Sequence, residues 1–226
     1  RELGLHPASL AAAPAGEGVR LEGMRAPRVG LYMPWTANMD EGWTRYVLRE
    51  FEFPVDTLRN AHIQGDLSGY DVILFTDQSP NSIRNGHSEG SRPPEFTGGV
   101  GEEGMENLRR WVDAGGTLVA FDGASDFAID LLGLSVRNVT AGLPNSQFFI
   151  PGSLLRTEFD PAHPVAFGMP EEGAAFFQGS RGFEVADSRA AEVVARYARE
   201  NLLMSGWELG GDAHLAGRAA VVRAPL

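Results

Sequence analysis

The stretch GGTLVAFDGASDF, residues 115–127, decides the fold of this chain. Two glycines precede a short apolar run, and the run ends in a turn that opens on Asp122. In an open α/β sheet, ligands and nucleophiles lie in the crevice outside the carboxyl end of a central strand. Many enzymes present a Ser or Cys nucleophile at that point, whereas this chain has Asp122 followed by Gly123. The function therefore depends on what an aspartate does there.

The composition predicts one large domain, or a domain with a small appendage. The chain has 226 residues, of which 43% are hydrophobic and 22% are charged, and this is enough to bury a sizeable core. It contains no run of about 18 uncharged apolar residues, so the sequence predicts no membrane span. The net charge is −11, and every basic residue is Arg. An acidic chain without basic runs disfavours nucleic acid and anionic lipid as partners.

The absence of cysteine limits the chemistry of the chain. With Cys at 0, the sequence excludes a thiol nucleophile, a disulfide framework and a thiolate metal site. The five histidines are scattered through stretches that resemble loops, and each is better explained as a turn or surface residue than as a metal ligand. We therefore predict no metal site and no cofactor in this chain.

The first part of the chain alternates strands and helices. Residues 1–27 are rich in Ala, Pro and Gly and are predicted to form a linker or an N-terminal arm, with the folded domain over residues 28–226. RVGLYM, residues 28–33, is predicted to be a buried strand. A helix should follow, with Asn38 or Asp40 as its cap, because apolar residues recur at helical spacing at Trp43, Val47 and Phe51.

The pattern then repeats around a long loop. Strands are predicted in FPVDTLRN, residues 53–60, and in YDVILFTDQ, residues 70–78. Residues 77–101 are predicted to form an unusually long loop that acts as a lid, a docking loop or a mobile insertion. A helix over EEGMENLRRWVDAGG should present Met105, Leu108, Trp111 and Val112 on one face.

The pattern of apolar residues changes after Asp122. The segment SDFAIDLLGL is predicted to be a short helix that Ser125 caps and that ends near Gly133. The segments SLLRTEF, EVVARYA and AGRAAVVRA then alternate or run apolar in the manner of strands. These elements predict an α/β fold of the flavodoxin-like type, with a mainly parallel sheet, helices on both faces and a strand-rich second half.

Several blocks, taken in order, resemble one known family. They are GLYMPWTANMDEGWTRYVL, DVILFTDQSP, PPEFTGGVGEEGMENLRRWVDAGGTLVAFDGASDFAI, FFIPGSLLRTEFDPAHPVAFGMP and LLMSGW. Together they are similar to the C-terminal region of bacterial zinc carboxypeptidase-family proteins of the carboxypeptidase A type. In these proteins a class I glutamine amidotransferase-like domain follows the peptidase domain. The resemblance covers roughly residues 28–226, and it implies a longer protein that continues past the C-terminus of this sequence.

The resemblance also implies where the chemistry lies. A zinc carboxypeptidase site uses a His-x-x-Glu pair and a distant His, and the nearest approach here, His87 with Glu89, is one residue short. An amidotransferase site needs a Cys at the elbow, where this chain has Asp122. Zinc is therefore expected only in a preceding peptidase domain, which becomes the expected partner, and the location implied is secreted or periplasmic.

The ends of the predicted parallel strands define a candidate pocket. Its residues are Asp40, Glu41, Trp43, Asp77, Gln78, Asp122, Ser125 and Asp126. Clustered carboxylates could bind a hard cation or perform acid/base chemistry. They could equally be helix caps and acceptors for loop amides, which is the interpretation that the residue types favour. Similarly, Trp35 and Trp43 could stack on a sugar or a peptide, although core or domain-interface packing is the more ordinary role.

Three functions follow from these alternatives. The first is a non-catalytic accessory domain of a zinc carboxypeptidase-like protein, serving stability, docking or substrate presentation. The second is a hydrolase that uses the carboxylates with a metal. The third is a module that binds carbohydrate or peptide through the loop at 77–101 and the tryptophans.

Overall fold

The computed structural model describes residues 26–226. The predicted arm at residues 1–27 therefore lies almost entirely outside the described residues. None of the helices within residues 26–226 is long and apolar enough to cross a membrane.

The first half of the chain forms a four-stranded parallel sheet. Its strands run in the order β2-β1-β3-β4, and every neighbouring pair is parallel. The central strands β1 and β3 are buried apolar runs, which is typical of parallel strands. The strands predicted at residues 28–33, 53–60 and 70–78 are confirmed, and the apolar run before Asp122 forms the fourth. Their bounds are Val29–Tyr32 for β1, Val55–Leu58 for β2, Val72–Phe75 for β3 and Thr117–Ala120 for β4.

Helices connect these strands and cover the sheet. They are α1 at Met39–Glu50, α2 at Asn60–Ile63, α3 at Pro80–Asn85, α4 at Gly101–Asp113 and α5 at Gly123–Leu132. The largest core cluster joins one face of the sheet, through Tyr32 and Phe75, to side chains of α2, α3, α4 and α5. In α4 the predicted stripe is confirmed, because Met105, Leu108 and Trp111 are buried in this core.

The second half of the chain forms a separate antiparallel sheet of seven strands. The order is β10-β6-β9-β11-β8-β5, and the seventh strand, β7, also pairs with β6. The α/β prediction is confirmed, with the parallel pairing confined to the first sheet and the strand-rich half forming the second. The strands are Val136–Asn138, Ser153–Phe159, Glu172–Phe177, Phe183–Val185, Glu192–Tyr197, Leu203–Ser205 and Ala219–Arg223, numbered β5 to β11. A short helix, α6, spans Gly211–His214.

The prediction that residues 77–101 form one long loop is wrong, because this segment contains a helix. The Ser79 side chain accepts a hydrogen bond from the backbone N–H of Ser82, and Pro80 provides the first turn, so α3 forms inside this segment. The remainder folds back on itself, because the Gly98 amide donates to the carbonyl of His87 over 2.8 Å. The segment is thus a capped helix followed by a closed loop.

The orientation of α1 is also a correction. Core or domain-interface packing was the more ordinary role for Trp43, but Trp43 is not in the core: it is 62% exposed, and Val47 is 48% exposed. The buried residue of this helix is Glu41, whose carboxylate accepts a 2.9 Å hydrogen bond from Arg45 Nε. Because this ion pair occupies the inner face, the apolar stripe of α1 faces outward.

Closure of the 86–99 loop gives a first testable prediction. Gly86 has a φ of +55°, and a Cβ at that position would lie 2.0 Å from the Gly98 carbonyl oxygen. Gly86→Ala should therefore lower the free energy of unfolding by at least about 2 kcal/mol, since backbone strain and a steric clash act together. Chemical denaturation measures this change.

The matched control is Gly90→Ala in the same loop. Gly90 has a φ of +76°, but the space that a Cβ would occupy there is open, so only the backbone strain of about 1 kcal/mol applies. Equal effects at the two positions would show that the contact between residues 86 and 98 does not close the loop.

Candidate functional site

The candidate site is the sharp turn between β4 and α5. Strand β4 ends at Ala120, the Phe121 amide donates to the Phe75 carbonyl, and α5 begins at Gly123. Between them, Asp122 has φ 45° and ψ −118°, which a residue with a side chain rarely adopts. Strained backbone of this kind costs about 1–3 kcal/mol and is concentrated at functional sites. The turn thus has the geometry that displays a nucleophile at the end of a strand in other α/β proteins.

The loop after β3 holds this turn in place. Asp77 Oδ1 accepts a 2.8 Å hydrogen bond from the Gly123 amide. A Cβ on residue 123 would lie 2.8 Å from the same oxygen, so only glycine permits this approach. The loop after β1 joins them, because Asn38 Nδ2 donates to the Asp77 carbonyl over 2.9 Å and to Thr76 Oγ1 over 3.1 Å. Three loops therefore meet at the carboxyl ends of the parallel strands.

The carboxyl group of Asp122 lies among opposing electrostatic influences. Burial raises the pKa of Asp122 above its ordinary value, and the neighbouring carboxylates of Asp77 and Asp40 raise it further. A hydrogen bond with the Ser180 side chain and the positive charge of Arg181 act in the opposite direction and lower it, but burial dominates. The result is a half-buried acid that holds its proton more tightly than a carboxyl group in water.

The second sheet contributes directly to this turn. Arg181 Nε donates to Asp126 Oδ2 over 2.8 Å, and Asn138 Nδ2 donates to the other oxygen of the same carboxylate over 2.8 Å. The hydroxyl of Tyr197 donates to the Arg181 carbonyl over 2.8 Å, and burial raises the pKa of Tyr197 above its ordinary range. Sequence reasoning missed Ser180, Arg181 and Tyr197, because no local pattern indicates contact with a turn in the other sheet.

Of the predicted pocket residues, three carboxylates converge electrostatically, namely Asp40, Asp77 and Asp122, and Asp126 lies beside them in its ion pair. The other four, Glu41, Trp43, Gln78 and Ser125, make other contacts. Glu41 is buried against Arg45, and Trp43 points outward from α1. Gln78 Nε2 donates to the hydroxyls of Thr36 and Ser82 and ties the loops together.

The predicted cap of α5 is wrong. The helix begins two residues before Ser125, whose hydroxyl instead donates to the Ala120 carbonyl over 3.1 Å. The N-cap residue is Asp122, and its side chain makes no capping hydrogen bond. The predicted C-terminal end is confirmed, because Gly133 adopts the left-handed conformation with φ 61°. Among the two proposed caps of α1, Asn38 is the cap, and its Oδ1 accepts from the Glu41 amide.

The arrangement supports proton transfer more readily than metal binding. Burial raises the pKa of the Asp122 carboxyl group, so this group keeps its proton to higher pH than a carboxyl group in water. Within residues 26–226, no group of three or more His, Cys, Asp or Glu side chains is placed to hold a metal ion. Any ligand at this turn would meet the carboxyl group of Asp122 together with the hydroxyl of Ser180.

Comparisons with known proteins identify the fold. No family model matches the chain, and no curated protein matches it either. A chain in the structure of PurLQS from Thermotoga maritima is similar, with a TM-score of 0.55 and 12% identity over 89% of this chain and 87% of that one. A glutamine amidotransferase from Thermotoga maritima is similar at a TM-score of 0.49, with 13% identity over 84% of this chain and 74% of that one.

The protein therefore has a flavodoxin-like fold of the class I glutamine amidotransferase type. Identities of this size establish the fold alone, and the parallel sheet, the elbow turn and the strand-rich half agree with it.

The raised pKa of Asp122 makes a prediction about stability and pH. Because the folded-state pKa lies above the ordinary value of 3.8, the linked stabilisation is complete below pH 3.8. It is lost as the pH rises through the folded-state pKa, where Asp122 ionises. The Asp122→Asn variant does not ionise, so its stability relative to the wild type should increase as the pH rises above 3.8 and through the folded-state pKa. Thermal unfolding of both proteins across this range measures the difference.

Asp187→Asn is the control with the opposite sign. Hydrogen bonds from the Arg189 side chain and backbone lower the pKa of Asp187, so its stabilisation is present above pH 3.8 and is lost at lower pH. The stability of this variant relative to the wild type should decrease as the pH rises. If Asp122→Asn follows the same direction as Asp187→Asn, the carboxyl group of Asp122 is not held in a desolvated environment.

Backbone strain at the elbow gives a second prediction for this site. Asp122→Gly should be more stable than Asp122→Ala by about 1 kcal/mol, because glycine adopts positive φ without a steric penalty. Within helix α5 that follows the turn, Asp130 is exposed, and there the order should reverse, with the Ala variant more stable by about 1 kcal/mol. Urea denaturation of the four variants tests both orders, and an Ala variant that is more stable at both positions would contradict strain at residue 122.

Proposed function

We propose that this protein is a non-catalytic accessory domain of a zinc carboxypeptidase-like protein, with a class I glutamine amidotransferase-like fold. The observation that carries the proposal is the identity of the elbow residue. The strained turn that would present a nucleophile holds the carboxyl group of Asp122. The glutaminase reaction implied by the fold requires a thiolate there, and carboxyl chemistry cannot substitute for it.

The surroundings of Asp122 support this proposal. A catalytic carboxylate nucleophile must be ionised, whereas burial and the neighbours Asp77 and Asp40 favour the protonated form of Asp122. The carboxylate of Asp77 is engaged by the Gly123 amide, and that of Asp126 is engaged by Arg181 and Asn138. These contacts hold the two halves of the chain together. Such a structural role is expected of a former catalytic position that has lost its nucleophile.

The carboxypeptidase part of the proposal is supported by the ordered sequence blocks described above. In it, zinc and the peptidase residues belong to a preceding domain of the same polypeptide, and the whole protein is secreted or periplasmic. The role of the present chain is then stability, docking or presentation of substrate to that domain. Reading the gene upstream of the Arg1 codon tests this part, since a His-x-x-Glu pair and a later His are expected there.

The chain itself should have no hydrolytic activity. We expect the purified protein to bind no stoichiometric zinc and to hydrolyse neither glutamine nor peptides with free C-termini. Metal analysis and product detection by mass spectrometry measure these outcomes. The matched variants are Asp122→Asn at the elbow and Asp130→Asn on the exposed side of α5. Turnover that persists in the Asp130 variant and is lost in the Asp122 variant would overturn the proposal.

A hydrolase that uses the carboxylates is the second candidate function. The observation that favours it is the electrostatic coupling of Asp122 to Asp77 and Asp40 at the ends of three strands. Such a site would bind calcium, magnesium, manganese or zinc, and binding would stabilise the folded protein. Calorimetry and thermal unfolding with each ion distinguish it from the first candidate, which predicts no effect.

A binding module is the third candidate, and the structure indicates a different site for it from the two tryptophans. Trp35 is covered, because the Arg59 guanidinium lies 3.8 Å from the centre of its ring and Phe96 contacts its edge. Trp43 lies apart from it on the outer face of α1. A peptide or glycan would instead meet an open depression of about 550 Å³ in the 85–98 loop, lined in part by His87, Glu89 and Arg92.

A further inference from the structure

The Gly123 amide is the group of the elbow that would stabilise the charge of a reacting substrate. When a nucleophile attacks an ester or an amide, negative charge develops on the carbonyl oxygen. In elbows of this shape, the backbone N–H of the residue after the nucleophile donates to that oxyanion. The residue after Asp122 is Gly123, which is the first residue of α5. The Gly123 amide therefore marks the oxyanion site of this turn.

The next two amides are engaged within the turn. The Ala124 amide donates to the Phe121 carbonyl over 2.9 Å, and the Ser125 amide donates to the Asp122 carbonyl over 3.0 Å. Among these three amides, that of Gly123 is the one that donates to a group outside the turn. It is therefore the amide that a substrate oxygen would have to reach.

A carboxylate of the chain already occupies this site. Asp77 Oδ1 accepts from the Gly123 amide over 2.8 Å, and an oxyanion would lie about 2.7–3.1 Å from the same donor. A carboxylate oxygen also resembles an oxyanion in its charge and as an acceptor. The charge of Asp77 raises the pKa of Asp122, so the two carboxyl groups are close neighbours. A substrate oxygen and Asp77 Oδ1 cannot occupy this position together.

We propose that Asp77 is an autoinhibitory residue, whose carboxylate fills the oxyanion site of the elbow and excludes the carbonyl group of an ester or an amide. The inference rests on the proposed function, because it gives the elbow a second barrier to acyl transfer besides the absent thiol. A nucleophile restored at residue 122 would still meet a filled site. Loss of one oxyanion donor lowers a reaction rate by about 10²–10³, so this contact alone is a substantial barrier.

Other contacts hold the loop that carries Asp77. Asn38 Nδ2 donates to the Asp77 carbonyl over 2.9 Å, while Asn38 Oδ1 accepts from an amide of α1. Gln78 Nε2 donates to the hydroxyls of Thr36 and Ser82. These contacts use the backbone of Asp77 and the side chain beside it, so the loop keeps them in a variant that lacks the Asp77 carboxylate.

A thiol placed at the elbow provides the test. The chain has no cysteine, so Asp122→Cys introduces a single thiol. Acylation of this thiol by p-nitrophenyl acetate develops an oxyanion, whereas its alkylation by iodoacetamide does not. Both reactions use the thiolate, so the ratio of the acylation rate constant to the alkylation rate constant cancels changes in thiol ionisation. This ratio therefore measures the state of the oxyanion site.

Removing the carboxylate should open the site. We expect the ratio in Asp122→Cys/Asp77→Ala to be at least about tenfold that in Asp122→Cys alone. The conservative variant Asp122→Cys/Asp77→Asn should keep the low ratio, because its amide oxygen still accepts from the Gly123 amide. Asp122→Cys/Asp130→Ala is the control for loss of a carboxylate from an exposed position of α5. An unchanged ratio in the Asp77→Ala variant, or an equal increase in the Asp77→Asn or Asp130→Ala variant, overturns the proposal.

Circular dichroism establishes that each variant is folded. If the Asp77→Ala variant does not fold, Asp77→Ser replaces it, because the serine hydroxyl ends one bond short of the Oδ1 position. Failure of both variants to fold would show that the fold itself requires the contact, and this also overturns the proposal. Hydrolysis of glutamine or peptides by the wild-type chain would instead contradict the proposed function, so the two failures are distinguishable.

Discussion

The hydrogen bond between the Gly123 amide and Asp77 Oδ1 is the constraint on which the elbow depends. It draws the loop after β3 against the first turn of α5, at a distance that leaves no room for a side chain on residue 123. The chain turns at the preceding residue, Asp122, which has a positive φ. Helix α5 can then begin at once and bury Phe127 and Leu131 in the main core.

The elbow keeps the shape of a catalytic turn, while burial makes its carboxyl group harder to ionise than a carboxyl group in water. Burial and two neighbouring carboxylates favour a proton on Asp122, and Ser180 and Arg181, in the loop between β7 and β8, oppose them only in part. Shape and charge at this position thus point to different conclusions about chemistry. A turn that is retained for packing explains both the strained shape and the raised pKa. The contacts of Gly123 and the core beneath α5 hold Asp122 in its strained conformation.

Sequence patterns predicted the parallel strands, three strands of the second sheet (β6, β9 and β11), α4 and the elbow, because each is marked by local periodicity or by glycine. The shorter or more exposed strands β5, β7, β8 and β10 were not predicted. Periodicity also located the apolar stripe of α1, but it could not say which side faces the sheet, since that depends on the buried Glu41 pair. The start of α5 was misplaced because a positive φ at Asp122 has no signature in the sequence. Arg181 was missed for a different reason. It contacts Asp126, which is far from it in the sequence, and no local pattern indicates such a contact.

The ion pair between Arg181 and Asp126 joins the loop before β8 of the second sheet to helix α5, which packs on the first sheet. Each sheet has its own apolar core, yet the acidity of the elbow is set by residues from both halves of the chain. Over evolution, such a turn could regain or lose reactivity through substitutions in the antiparallel half alone, with the strand and helix that form it left untouched. The residues that set the chemistry of this turn are therefore encoded in two separate parts of one gene.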